Sequence, residues 1–151
     1  MEMKLTGNRL EAVNYAALLH DIGKLGLETG SFDAYLDSDG ITQQQIPHAM
    51  IGAEILEQVK FLRPFAKIVL KHHLSYEPNR RHNDIDHPLE ARIITVANYY
   101  DQLTLGREVS QRLTPHQAIA KIKKDAFQFD PKAVRSLVSV LKKKGRLIVA
   151  R

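Results

Sequence analysis

The sequence predicts an all-α fold, a bundle of five to six helices, from two observations. Apolar residues recur at helical intervals along most of the 151 residues, and prolines or capping residues stand where these runs begin. No pair of alternating runs joined by a tight turn predicts a hairpin. Because no repeat or Gly/Ser linker divides the chain, a single domain over residues 1–151 is expected.

The first predicted helix begins near Asn8, which has the spacing of a capping box with Glu11. Gly23 and Gly26 end this helical pattern. The polar, glycine-punctuated residues 28–46 follow and are predicted to form a loop.

The next two helices are predicted to open at Pro47 and at Arg63-Pro64, since proline is favoured at the first helical position. In each of these two helices, apolar residues and histidines recur at i, i+3, i+4 and i+7 and form a stripe along one face. The stripes are His48, Ile51, Gly52, Ile55, Leu56 and Val59, and then Phe65, Ile68, Val69, His72 and His73.

The second half of the chain predicts three further helices and a charged loop over residues 75–88. The helices are expected to begin at Pro88, Thr114-Pro115 and Asp130-Pro131. Gly145 ends the last helix, and residues 147–149 are predicted as a short strand or a docked tail.

Composition excludes several classes of function. The absence of cysteine excludes a disulfide scaffold, a thiolate zinc site, an iron–sulfur cluster and a cysteine nucleophile. No stretch approaches the roughly 20 apolar residues of a membrane span, and no signal-peptide core is present, so a cytoplasmic location is expected. Lysine and arginine exceed aspartate and glutamate by 22 − 17 = 5, an excess of positive charge that suits an anionic ligand and that also serves solubility.

Four histidines and one carboxylate stand at the inner ends of three predicted helices: His20, Asp21, His48, His72 and His73. A core-facing stripe should be apolar, because burial of an unpaired imidazole costs free energy. A metal ion would accept the nitrogen lone pairs, and imidazole with carboxylate suits iron, manganese, zinc or nickel better than calcium. The pattern therefore predicts a metal site. The remaining histidines, His82, His87 and His116, fall in polar segments and are expected at the surface.

The run from Ala17 to Lys24, ALLHDIGK, resembles the defining motif of the HD phosphohydrolase superfamily. Further segments narrow the resemblance to its HD-GYP branch, whose characterised members hydrolyse cyclic di-GMP. These are HAMIGAEIL from His48, the pair His72-His73, ARI through DQLT over residues 91–104, and the turns around residues 113–118 and 129–131. The resemblance covers about residues 16 to 141.

The resemblance implies a bi- or trinuclear metal centre in a helical HD fold. By matching position, His20, Asp21, His48, His72 and His73 would be metal ligands, with Asp21 bridging two ions. Lys24 would reach the scissile phosphate and Arg107 would neutralise a phosphate oxygen. One or two divalent ions per chain are expected, iron or manganese first, with zinc or nickel as alternatives.

Three departures from the family pattern stand out. The 19 residues before His20 contain no histidine, although the family places another ligand there. Asn98 occupies the position of a metal-binding aspartate, and Asp101, one helical turn later, is the possible substitute. Residues 74–81, LSYEPNRR, stand where the family has its Gly-rich GYP loop.

Two hypotheses follow. The first is a metal-dependent phosphohydrolase of phosphodiesterase type, acting on cyclic di-GMP or a related nucleotide or phosphate ester. The second is a catalytically degenerate HD domain that serves as a regulatory or protein-binding module, as a homodimer or with a signalling partner. Membrane association is not expected. A nucleic-acid-binding module is disfavoured, because the basic runs 121–124 and 142–146 contain no interleaved aromatic residues.

Overall fold

The computed structural model describes residues 3, 5–27, 46–76, 87–106 and 108–147. Within these ranges the chain forms six α-helices and no strand, which confirms the all-α fold class and the predicted number of helices. The helices are α1 (Gly7–Leu19), α2 (Ile46–Gln58), α3 (Arg63–Lys71), α4 (Leu89–Leu105), α5 (Pro115–Lys124) and α6 (Pro131–Lys143). In this part of the chain no helix has the length and apolar character needed to span a bilayer.

The chain divides into two compact units. The first, called here the histidine unit, consists of Thr6–Leu74 and Asn83–Ala91, and the second, the C-terminal unit, consists of Met1–Leu5, Ser75–His82 and Arg92–Arg151. The expectation of a single domain remains a prediction.

In the histidine unit, α2 packs against α3 and against a 3₁₀ helix, Ile22–Gly26, and α1 packs against α3. Tyr15 of α1 stacks on Phe65 of α3 with ring centroids 5.0 Å apart. Phe61 and Tyr15 form a T-shaped pair with ring centroids 5.2 Å apart. Phe65 is buried and Tyr15 is partly buried, so their contact contributes hydrophobic stabilisation and fixes the start of α3 relative to α1, whereas Phe61 is exposed.

Two glycines allow the 3₁₀ helix to approach the backbone of α2. A Cβ atom at Gly23 would lie 1.9 Å from the carbonyl oxygen of His48 and 2.5 Å from the amide nitrogen of Gly52. At Gly52 the nearest atom is a side-chain carbon of Val69, at 3.2 Å. The glycines therefore serve close backbone packing, which brings the residues after α1 beside the first turn of α2.

The C-terminal unit has a core of buried side chains from α4, α5, α6 and the segments between them: Ile94, Val96, Tyr99, Tyr100, Ala118, Ile119, Ile122, Phe129, Ala133, Leu141 and Leu147. Arg92 donates to the buried Asp130 carboxylate at 2.8 Å, and Asp130 also accepts from the Lys132 amide as the N-cap of α6. The predicted starts at Thr114 and Asp130 are confirmed, the first with a complete capping box to Gln117.

Several local predictions are wrong. Asn8 is not the N-cap of α1, because the helix begins at Gly7 with Thr6 as the flanking residue. The buried face of α2 is His48, Ala49, Gly52, Ala53 and Leu56, whereas Ile55 and Val59 are exposed. The small alanines, which do not stand out as a stripe, face the partner helices and permit their close approach.

Other helix boundaries lie within one residue of their predicted positions. Helix α2 begins at Ile46, one residue before Pro47, and α4 begins at Leu89, one after Pro88. Gly145 follows α6 with a φ of 66°, a left-handed conformation in which glycine carries no Cβ penalty. Three parts of the predicted segments lie outside the described residues: residues 28–45 of the loop predicted over 28–46, residues 77–86 of the loop predicted over 75–88, and residues 148–149 of the predicted tail.

Candidate metal centre

The histidine unit brings five of the predicted site residues together. His20 and Asp21 follow the last turn of α1, and His48 lies in the first turn of α2. His72 and His73 follow α3. His48 and His72 are buried, whereas His20, Asp21 and His73 are partly exposed. The centre is therefore built at the ends of three helices, where side chains can converge on one point.

His20 and His72 are the C-cap residues of their helices. The Nδ1 atom of His20 lies 2.8 Å from the carbonyl oxygen of Ala17, and that of His72 lies 2.5 Å from the carbonyl oxygen of Val69. The last carbonyls of a helix lack partners within the helix, and a carbonyl oxygen can only accept a hydrogen bond. Both Nδ1 atoms are therefore donors, which leaves Nε2 of each neutral imidazole as the ligand atom.

Asp21 lies between two of the imidazoles. Its Oδ2 is 3.4 Å from Nε2 of His20, and its Oδ1 is 3.3 Å from Nε2 of His48. These separations exceed those of ordinary N–H···O hydrogen bonds. Within the described residues, His20 Nε2 and Asp21 Oδ1 are buried atoms that make no hydrogen bond of good geometry. Each of the two carboxylate oxygens thus faces a different histidine.

His48 and His73 approach each other directly, with Nε2 atoms 3.0 Å apart. Two lone pairs cannot face one another at this distance without a proton or another cation between them. The rings of His72 and His73 are also close, with centroids 3.9 Å apart, and those of His48 and His72 are 5.4 Å apart. The imidazoles therefore form one contiguous cluster.

Burial and charge set the protonation of the cluster. Burial lowers the pKa of His72 to about 4, although the Val69 carbonyl acts in the opposite direction. Burial, together with the charges of His72 and His48, lowers the pKa of His73 to about 2. Both imidazoles are neutral at neutral pH, as ligands must be.

The HD pair itself is shifted toward its charged forms. Burial disfavours the charged forms of His20 and Asp21, but the polar contacts of these two residues outweigh the effect of burial. Contacts with Asp21 and the Ala17 carbonyl raise the pKa of His20, and contacts with His20, His48 and Lys24 hold the pKa of the Asp21 carboxyl far below its usual range. Asp21 is therefore an anion under all ordinary conditions.

Two groups of side chains in this cluster have the spacing of metal ligands. His20, Asp21 and His72 each offer one atom, all within 4.8 Å of one another, and His48, His72 and His73 do the same. The donor set of imidazole and carboxylate, and the buried atoms of His20 and Asp21 that lack good hydrogen bonds, fit a transition-metal ion. His72 belongs to both groups, but its single available nitrogen can serve only one ion.

The other predicted site residues are placed differently. Lys24 lies on the 3₁₀ helix, where its ammonium group forms an ion pair with Asp21 Oδ2. Asn98 is half-buried and Asp101 is exposed, and both lie on α4 in the C-terminal unit. Arg107 lies outside the described residues.

One histidine is not where the sequence pattern suggested. His87, expected at the surface, is 3% exposed, and it immediately precedes Pro88 at the start of α4. The neighbouring Glu90 is also buried and accepts from Arg9 of α1 at 2.5 Å. A polar segment does not reveal that its last residue is covered by tertiary packing, so no sequence signal marked His87. His116 is exposed, as predicted, and His82 lies outside the described residues.

These features define an HD domain, and the profile of the HD domain family matches residues 1–133. The chain belongs to this family. It is 30% identical over 148 residues to the cyclic di-GMP phosphodiesterase response regulator RpfG of Xanthomonas campestris pv. campestris, an alignment that covers 91% of this chain and 38% of the relative.

A second relative is the 3'3'-cGAMP-specific phosphodiesterase 3 of Vibrio cholerae serotype O1. It is 28% identical over 131 residues, which cover 83% of this chain and 28% of the relative. Both names are those of cyclic dinucleotide phosphodiesterases, which supports the resemblance to the HD-GYP branch. The chain spans less than two fifths of the length of either relative.

Proposed function

We propose that this chain is a metal-dependent phosphohydrolase domain that cleaves a phosphodiester of a cyclic dinucleotide. The convergence of four imidazoles and one carboxylate within the histidine unit carries the proposal. A divalent ion held there would supply Lewis-acid polarisation of a phosphoryl group and a hydroxide nucleophile at neutral pH. Iron or manganese is proposed, with zinc or nickel as alternatives, at one or two ions per chain.

Each residue has a proposed part in holding the metal. His20 and His72 would present Nε2, because their Nδ1 atoms are engaged by the carbonyls of Ala17 and Val69. His48 and His73 would present the Nε2 atoms that already lie 3.0 Å apart. Asp21 would bridge two ions, since its oxygens face different histidines.

Charge favours an anionic substrate at this centre. With metal bound, the four imidazoles would be neutral ligands and Asp21 would be the one anion, so one divalent ion would make the charge of the centre +1 and two would make it +3. A phosphodiester supplies the compensating negative charge. Lys24, and by resemblance Arg107, would add cationic contacts to the phosphate. The choice of a cyclic dinucleotide rests on the two relatives, whose names specify cyclic di-GMP and 3'3'-cGAMP.

Hydrolysis by the metal-loaded protein tests the proposal. The chain would be purified without chelator, loaded with Mn²⁺ or Fe²⁺, and assayed against cyclic di-GMP, 3'3'-cGAMP and bis(p-nitrophenyl) phosphate. Cleavage of a phosphodiester that disappears after chelation and returns with metal is expected. The His20→Ala/Asp21→Ala variant should lose this cleavage. His116→Ala is the matched control, because His116 is an exposed histidine outside the cluster.

No cleavage of any of these phosphodiesters by the metal-loaded protein would contradict the proposal. Equal cleavage by wild type and by the His20→Ala/Asp21→Ala variant would also contradict it, because the activity would then arise elsewhere or from a contaminant.

A second function, that of a regulatory or protein-binding module, is favoured by two observations. Asn98 places a neutral amide where the family has a ligand carboxylate. The histidine unit also presents a cleft along α1, lined in part by Leu10, Tyr15 and Leu18, and Leu18 is 81% exposed. This second function predicts that the His20→Ala/Asp21→Ala variant keeps the biological effect of the protein.

A further inference from the structure

Lys24 already places a cation on the carboxylate at the centre of the histidine cluster. Asp21 is the N-cap of the 3₁₀ helix Ile22–Gly26, and Lys24 is three residues further along. A 3₁₀ helix has three residues per turn, so side chains at i and i+3 lie on the same side. This arrangement directs the Lys24 ammonium group onto Asp21 Oδ2, while the Lys24 amide donates to the Asp21 carbonyl at 3.0 Å.

The oxygen that Lys24 contacts is also the one closest to His20. Asp21 Oδ2 lies 3.4 Å from His20 Nε2, and these two residues form one of the candidate metal groups with His72. An ion that bonds to the Asp21 oxygen nearer to His20 would therefore meet the oxygen that pairs with Lys24. A divalent ion and an ammonium group on one carboxylate oxygen repel each other, and the divalent ion has the stronger attraction for the carboxylate.

The Lys24 side chain can move away from Asp21 without a change in the backbone. Its side chain is 36% exposed, and its flexible four-carbon stem allows the ammonium group to turn toward solvent. An ion pair this exposed is weak, so a metal ion can displace it.

We propose that Lys24 is a placeholder cation, which neutralises Asp21 in the metal-free protein and is released from it when metal binds. Released Lys24 is then available to an anionic ligand at the same centre. Binding is consequently ordered, with the metal first and the phosphate second. This inference rests on the proposed function, because it assumes that the cluster binds metal.

Amine acylation of the wild-type chain, read at each lysine by peptide mass spectrometry, tests the release. Lys24 should be labelled about three- to tenfold faster in Mn²⁺-loaded protein than in metal-free protein, because it loses its partner. Lys67, an exposed lysine of α3, should be labelled equally in both and is the matched control. Isothermal titration calorimetry on the same samples would show that Mn²⁺ is bound.

Two variants extend the test. Lys24→Gln should bind Mn²⁺ about three- to tenfold more tightly than wild type, whereas Lys67→Gln should not. Inorganic phosphate should bind Mn²⁺-loaded wild type, bind metal-free wild type far more weakly, and bind Mn²⁺-loaded Lys24→Gln less tightly than loaded wild type. Because the labelling uses the wild-type chain, poor folding of a variant does not remove the test.

The possible failures are distinguishable. If Mn²⁺ binds and the labelling of Lys24 does not change, the placeholder role is wrong and the proposed phosphohydrolase function stands. If none of Mn²⁺, Fe²⁺, Zn²⁺ and Ni²⁺ binds, both the placeholder role and the proposed function are wrong. If phosphate binds equally well with and without metal, the ordered binding is wrong.

Discussion

Replacement of Gly23 by alanine should disrupt the metal centre without removing any ligand. The new Cβ would lie 1.9 Å from the carbonyl oxygen of His48, whereas ordinary contacts begin at 3.4 Å, so the two backbones must separate by about 1.5 Å. Neither atom belongs to a side chain that can rotate away. His48 would move away from Asp21, whose Oδ1 is 3.3 Å from His48 Nε2.

This displacement sets the expected losses of stability and of metal affinity. Overpacking of a core contact costs about 1–3 kcal/mol, and backbone contact places Gly23→Ala at the upper end of this range. A ligand displaced by about 1 Å can cost on the order of 100-fold in function, and a comparable loss of Mn²⁺ affinity is expected. Urea unfolding of the metal-free protein would measure the loss of stability, and calorimetric titration with Mn²⁺ would measure the loss of metal affinity.

Two other glycines provide graded controls. Gly52→Ala should be milder, because the closest atom to its Cβ is a Val69 side-chain carbon at 3.2 Å. Gly7→Ala meets nothing within 4 Å and lies at the start of α1, so it should be neutral or slightly stabilising. If Gly23→Ala unfolds at the same urea concentration and binds Mn²⁺ with the same affinity as Gly7→Ala, the close-packing argument is refuted.

Three further predictions concern stability, measured by urea unfolding of the metal-free protein. His72, with a pKa near 4 when folded and 6.5 when unfolded, binds its proton more readily in the unfolded chain, so its own contribution to stability should fall by about 3 kcal/mol as the pH falls from 6.5 to 4. A His72→Gln variant with the same pH dependence of stability as wild type would contradict this. Arg92→Ala should lower the free energy of unfolding by about 3–5 kcal/mol, because it leaves the buried Asp130 carboxylate without its cationic partner. Arg135 is exposed, so Arg135→Ala should change this free energy little, and equal losses in the two variants would refute the prediction. Thr114→Ala should cost about 1 kcal/mol through loss of its cap, and an unchanged midpoint would show that the cap contributes nothing.

The sequence predicts local features of the fold well when one short segment determines them. The capping residues Thr114 and Asp130 act on amides within three residues, and both are confirmed. Gly145 ends α6 through its own left-handed backbone. Each of these signals is complete within one turn of chain, so no tertiary contact is needed to interpret it.

Burial is harder to predict, because it depends on what packs against each face. The apolar residues Ile55 and Val59 are exposed, and α2 buries alanines instead, since close helix contact requires small side chains. His87 ends a charged segment and precedes Pro88, a local pattern that does not mark it as buried. The partner surfaces in these cases come from distant segments, which no local pattern contains.

The candidate site falls between these two cases. The histidine and aspartate types predict metal chemistry, and the ends of three helices predict convergence. The sequence does not reveal that His20 and His72 are both C-cap residues whose Nδ1 atoms meet helix carbonyls, which leaves Nε2 as the ligand atom. Nor does it reveal that Asp21 is already paired with Lys24.

Metal content per chain tests the central claim most directly. The chain would be purified without chelator, offered Fe²⁺ or Mn²⁺, separated from free ions, and analysed by elemental mass spectrometry beside the His20→Ala/Asp21→Ala and His116→Ala variants. One or two ions per chain are predicted in wild type and in His116→Ala, with most of this metal lost from the double variant. No metal in wild type, or the same amount in all three proteins, would contradict a metal centre at the histidine cluster.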